Sequence, residues 1–89
     1  MIDIILCCYN QEKYIEQALT SIYLQNFSDK ANLIVADDSS SDRTLEIIEN
    51  IPSPAWINKV YLPSEKNMGL VQNYKRAFHA CKSDFIFIL

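Results

Sequence analysis

Residues 33 to 42 read LIVADDSSSD: the apolar or small side chains Leu33 to Ala36 run straight into two adjacent carboxylates, Asp37 and Asp38, and then into three serines and Asp42. A short apolar run bounded by turn formers makes a strand buried on both faces. Two like charges at its end repel one another, and they are tolerated there only if each finds hydrogen-bond donors or stays wet. Consecutive side chains of an extended chain point to opposite faces, so one acid can serve the fold while the other reaches whatever lies beyond the strand. Two readings of the pair stay open on these residues alone. Both acids cap the loop and the next helix through Ser39 to Ser41, or one accepts hydrogen bonds from a base imide or ribose hydroxyls, as acids at strand ends do in dinucleotide folds.

Outward from this stretch the periodicity alternates. Ile2 to Cys8 is almost continuously apolar and predicts a first buried parallel strand. Tyr14, Ile15, Ala18, Leu19, Ile22 and Tyr23 form the stripe of an amphipathic helix, with Asn10 as its expected cap and an end near Gln25. Asn26 to Lys30 reads as a polar turn around Phe27. A second helix is predicted from Thr44 to Ile51, capped by Ser41 or Asp42 and stopped by Pro52. Pro52, Pro54 and Trp56 make a loop with Trp56 as a lid on the core, and Lys59 to Leu62 reads as a third strand ended by Pro63. Apolar residues at 70, 71, 74, 77, 78 and 81 predict a third helix, and Phe85 to Leu89 a fourth strand. The fold class is therefore α/β: a βαβαβαβ parallel sheet with helices on both faces, Rossmann-like. Such sheets bind ligands beyond the carboxyl ends of their strands, which puts Cys8-Tyr9-Asn10 and Asp37-Asp38 along one edge. The last strand has an unpaired flank open to self-association, and residues 1–89 read as the first part of a larger domain.

Bulk properties exclude several classes. A net charge of −3 supplies no basic face for nucleic acid. No stretch approaches the ~20 apolar residues of a membrane span, and the amino terminus lacks the basic start of a signal peptide, so the expected location is cytoplasmic. Cys7, Cys8 and Cys81 are an odd set without metal-ligand spacing, and are read as reduced, small buried hydrophobes. No metal site is read from the residues. His79 has no partner spacing, and Lys75 and Arg76 are read as a solvated face, with phosphate contact by Arg76 as the rival. Tyr9 offers a flat face for a nucleobase or is simply a half-buried aromatic. Asn67-Met68-Gly69 opens the third helix, and Gly69, the only glycine in the chain, implies positive φ or a close approach.

Taken in order, the strand ending in Tyr9-Asn10, then Gln11-Glu12-Lys13-Tyr14-Ile15, Val35-Ala36-Asp37-Asp38-Ser39-Ser40-Ser41-Asp42, Asn67-Met68-Gly69-Leu70-Val71-Gln72-Asn73-Tyr74, and Ser83-Asp84-Phe85-Ile86-Phe87 resemble family 2 glycosyltransferases with the GT-A fold. The resemblance implies a site for a nucleotide-diphosphate sugar. Tyr9 would stack on the base, Glu12 would line the pocket, and Asp38 would contact base or ribose. The backbone around Cys7 and Cys8 would form the floor, with Asn67 and Gly69 beside it, while Asp37 would hold the turn. It further implies transfer to a glycan acceptor, in the branch making bacterial surface polysaccharides and including rhamnosyltransferase-like members. The chain departs from the family pattern in having Cys7-Cys8 for Pro-Thr, Ser39 and Ser83 for Gly, and Tyr74 for Arg. Members carry an Asp-x-Asp metal motif just after the strand that Phe85 to Leu89 resembles, and a general base further on. The intact enzyme is therefore expected to use Mg²⁺ or Mn²⁺, and these residues alone to bind no metal, supply no catalytic residue and give no turnover. The rival classes are a receiver-like phosphoacceptor domain, whose acidic pair would follow the first strand rather than the second, and a stand-alone nucleotide-binding or interaction module.

Overall fold

The computed structural model describes residues 1–25 and 30–89. The polar turn expected around Phe27 lies outside the described residues. The elements run β1 (Ile2–Cys8), α1 (Ile15–Tyr23), β2 (Ala31–Asp37), α2 (Thr44–Asn50), β3 (Ile57–Leu62), α3 (Leu70–Ala80) and β4 (Phe85–Ile88). All strand pairings are parallel, in the order β3-β2-β1-β4. The chain steps from β1 outward through β2 to β3, then crosses back to lay β4 on the other side of β1. The order thus reverses beside β1, the position at which open α/β sheets make their crevices.

Alternation along β1 and β2 assigns the layers. Ile2, Ile4, Leu6 and Cys8 join Leu33 and Val35 in one core with Ile15, Leu19 and Ile22 of α1 and Ile48 of α2. Trp56 packs against that core, as expected of a lid. Ile5, Ile34 and Ala36 face the other way and meet Ala77 of α3. Ile15, Leu19 and Ile22 stand at i, i+4 and i+7, the stripe that one helix face presents to a sheet. Burying Leu19 alone is worth about 1.5–3 kcal/mol. Tyr14, included in the expected stripe, is instead exposed at the helix start.

Polar side chains set the element ends. Asn10 does not cap α1: its backbone turns at φ +49°, and its side-chain oxygen accepts the Ser41 N–H at 2.8 Å. Asp42 caps α2 by accepting the Thr44 N–H at 2.9 Å. At the other end of α2, Lys59 of β3 donates to the carbonyls of Ile48 (2.7 Å) and Ile51 (2.6 Å), a cation at the negative end of the helix dipole. β2 and β3 start earlier than their apolar runs because Asp3, Asn32 and Asn58, side by side in register, bond across the sheet.

Asp3 is a buried carboxylate on β1 that also accepts the N–H groups of Lys82 (2.8 Å) and Ser83 (2.9 Å), fixing the turn from α3 into β4. Burial works to raise its pKa, but these hydrogen bonds outweigh it and hold the carboxyl below its ordinary value. A pKa depressed on folding gives stability that is present above the unfolded value, about 3.9, and lost as pH falls through the folded one. Urea denaturation midpoints are therefore expected to drop below about pH 4, with a shallower drop for Asp3→Asn. An identical acid limb in that variant would remove Asp3 from the explanation.

The face of α3 differs from the one its apolar periodicity suggested. Asn73 and Ala77 are buried, whereas Leu70, Val71 and Phe78 are exposed. The reason is a polar anchor: Asn73 Nδ2 donates to the Ala36 carbonyl at 2.8 Å, and Ala77 is small enough to sit directly on Ile5, Ile34 and Ala36. β4 forms the sheet edge with all four residues exposed.

Candidate functional site

The acidic pair divides between the two layers. Asp37 turns toward the α1/α2 side, where it accepts the Ser40 N–H at 2.9 Å, the Ser40 hydroxyl and the Cys8 thiol. Burial pushes the Cys8 thiol pKa up, and the Asp37 charge adds to it, so the thiol stays protonated and donates. Asp38 turns toward α3. One of its oxygens accepts the Met68 N–H at 2.7 Å and the other the Gly69 N–H at 2.9 Å. Each carboxylate is almost fully buried, at 3% and 4% exposure, and neither is left without donors. Of the two readings of the pair, the first holds only for Asp37. Asp38 reaches across to the loop before α3, and Asn67 Nδ2 approaches the Asp38 carbonyl at 3.4 Å.

The same hydrogen bonds build a cleft. Asp38 N–H continues the β1–β2 ladder by donating to Cys8 O at 2.9 Å, so Tyr9 and Asp38 leave the sheet side by side. Gly69 starts α3 at φ +89°, ψ 162°, a conformation essentially reserved for glycine. A Cβ there would meet nothing within 4 Å, so it is conformation and not crowding that requires glycine. Cys7, Cys8, Tyr9, Gln11, Asp38, Asn67, Gly69, Leu70 and Asn73 line the resulting cleft, which has a volume of about 330 Å³. That volume lies at the lower end of the range that holds a small ligand. Tyr9, 47% exposed, and Asp38, 4% exposed, both line this one space.

Six of the seven sequence-derived positions, Cys7, Cys8, Tyr9, Asp38, Asn67 and Gly69, come together here. Glu12 does not line the cleft; its carboxylate accepts the Arg43 N–H at 3.3 Å and its own N–H donates to Asp42. Gln11, Leu70 and Asn73 line it without having been singled out. Asn73 was hidden because an asparagine inside an apolar helical pattern reads as surface. Arg76 is neither a solvated side chain nor a cleft residue. Its guanidinium donates to Asn73 Oδ1 (2.7 Å), the Pro63 carbonyl (2.8 Å) and the Asp37 carbonyl (2.7 Å).

Among the described residues no group of three or more His, Cys, Asp or Glu side chains is placed to hold a metal ion. Asp38 is the one carboxylate among the residues lining the cleft, and each of its oxygens already accepts a protein N–H. These residues do not fit a divalent-cation site. Among the described residues, too, no helix is long and apolar enough to cross a membrane.

The loop after β2 also carries strain. Ser39 sits at φ +61°, where an L side chain is disfavoured by roughly 1–2 kcal/mol and glycine is not. Ser39→Gly is expected to raise the unfolding free energy by about 0.5–1 kcal/mol, part of the relief being cancelled by the added freedom of the unfolded chain. Chemical denaturation measures this, and a less stable variant would mean that the hydroxyl contributes more than the strain costs.

Comparison with known proteins gives concordant results. Residues 3–89 match the family model for glycosyl transferase family 2. An uncharacterized glycosyltransferase of Haemophilus influenzae is 37% identical over 73 residues, covering 82% of this chain and 22% of that protein. The GalNAc(5)-diNAcBac-PP-undecaprenol beta-1,3-glucosyltransferase of Campylobacter jejuni is 27% identical over 88 residues, 99% of this chain and 28% of that one. The crystal structure of Staphylococcus aureus TarS 1–349 in complex with UDP-GlcNAc superposes with a TM-score of 0.82 at 29% identity, over 99% of this chain and 25% of that chain. The 89 residues thus span about a quarter of the length of these relatives.

Proposed function

This chain belongs to glycosyl transferase family 2, and on that premise we propose that its cleft binds the nucleotide part of a nucleotide-diphosphate sugar. The observation that carries the reading is the convergence of Tyr9 and Asp38 on one space beyond the carboxyl ends of β1 and β2. A half-exposed ring beside a fixed carboxylate suits a nucleobase, since the ring stacks on its face and a carboxylate lone pair left over from Met68 and Gly69 accepts an imide or ribose hydrogen. Support comes from the solved relative, whose complex holds UDP-GlcNAc. Asn67, Gly69 and the β1 end at Cys7 and Cys8 complete the walls, while Glu12 acts from outside by fixing the start of α2.

The whole protein, on this reading, transfers a hexosyl or rhamnosyl unit from such a donor to a glycan acceptor in bacterial surface polysaccharide synthesis. The 89 residues supply donor binding without turnover. The Mg²⁺ or Mn²⁺ expected of the whole enzyme has no ligand set among the described residues, and no step here passes through it. Family membership sets the receiver-like alternative aside. Calorimetric titration of the chain with UDP, GDP and dTDP tests the proposal: one of the three is expected to bind saturably, and a folded chain that binds none of them would overturn it.

A further inference from the structure

We propose that Arg76 is a positioning residue of this cleft: without lining it, Arg76 locks the two loops that carry Asp38 and Gly69 into the arrangement a nucleotide meets. The inference rests on the nucleotide reading above. Its three acceptors lie on three separate elements. The Asp37 carbonyl ends β2 and belongs to the peptide unit that leads into Asp38; the Pro63 carbonyl immediately follows β3; Asn73 Oδ1 is in the first half of α3. A guanidinium presents its donors in one rigid plane, so a single side chain fixes the mutual placement of all three.

The consequences run into the cleft by two routes. Holding the Asp37–Asp38 peptide sets where the Asp38 carboxylate stands, and that carboxylate in turn holds Met68 and Gly69 at 2.7 and 2.9 Å. Holding Asn73 Oδ1 fixes the side-chain amide so that Nδ2 points at the Ala36 carbonyl, and Asn73 is itself a lining residue. The strand end, the loop before α3 and the helix are tied at one charged point behind the wall of the cleft. A lysine keeps the charge but not the planar fork.

Two readouts on the 89-residue chain separate this role from its rivals. The first is amide hydrogen exchange without nucleotide in wild type, Arg76→Lys and Arg76→Ala, with Arg76→Lys carrying the test should the alanine variant not fold. Exchange at Met68 and Gly69 is expected to accelerate about tenfold or more in the variants, the effect of losing roughly 1.4 kcal/mol of local protection, with Ile4 and Leu6 of β1 unaffected. Equal acceleration at all four amides would mean a merely structural role and would overturn the inference. The second is affinity for whichever of UDP, GDP and dTDP the wild-type chain binds, and for the nucleoside of that same base. Positioning predicts that both weaken by the same factor, about tenfold, in Arg76→Lys as in Arg76→Ala. A loss confined to the diphosphate and spared by lysine would mean direct phosphate contact and would likewise overturn it. Intact wild-type binding with unchanged variants sinks this inference alone; a wild-type chain that binds none of UDP, GDP and dTDP sinks the nucleotide reading together with it.

Discussion

Asp38→Ala is expected to lower the unfolding free energy by about 3 kcal/mol and to eliminate nucleotide binding. The stability loss follows from two backbone N–H groups, on Met68 and Gly69, that lose a carboxylate acceptor at 2.7 and 2.9 Å in a partly buried setting. Leaving one such donor unsatisfied costs about 1–3 kcal/mol, more where the lost partner was charged. The loop before α3 has no local substitute, because the Gly69 N-cap makes no side-chain capping bond. Denaturation curves and calorimetric titration measure the two effects separately. Asp38→Asn is expected to fall between wild type and alanine, since its amide oxygen keeps one bond while its NH₂ group faces the other donor. A stable Asp38→Ala chain would show that the pair is not a structural necessity, and one that still bound nucleotide would remove Asp38 from the site.

Tyr9→Ala is expected to separate binding from folding in the opposite sense. Its ring is 47% exposed at the mouth of the cleft, so truncation leaves little cavity and the unfolding free energy should change by no more than about 0.5 kcal/mol. Loss of base stacking should weaken nucleotide binding by about 1–3 kcal/mol, or some five- to 150-fold. Tyr9→Phe, which keeps the stacking face, should bind nearly as wild type. Equal affinities for Tyr9→Ala and wild type would place the base elsewhere.

How much of this was legible beforehand depended on what kind of force sets each feature. Strands buried on both faces are long apolar runs, so β1 was read to its exact ends, and the i, i+4, i+7 burial of Ile15, Leu19 and Ile22 follows from helix geometry. The early starts of β2 and β3 were not legible, because the residues that pair there, Asn32 and Asn58, look like loop formers until they are set in register with Asp3. Period told where α3 lies but not which way it faces. Asn73 and Arg76 chose the face through long-range hydrogen bonds, to the Ala36, Pro63 and Asp37 carbonyls, that no local pattern contains. In the site, opposite orientations for Asp37 and Asp38 followed from strand alternation, and the unique glycine announced a positive φ. What Asp38 would grip could not be inferred, since Met68 and Gly69 lie 30 and 31 residues away.

The most direct measurement is chemical-shift mapping of the nitrogen-15-labelled chain during titration with UDP, GDP and dTDP in turn. Saturable movement of the Tyr9, Met68 and Gly69 amide resonances is the expected result, because Tyr9 and Gly69 line the cleft and Met68 and Gly69 donate to the Asp38 carboxylate. Movement confined to the separate groove between α1 and β4, around Ile22 and Phe87, or no saturable movement at all, would contradict it.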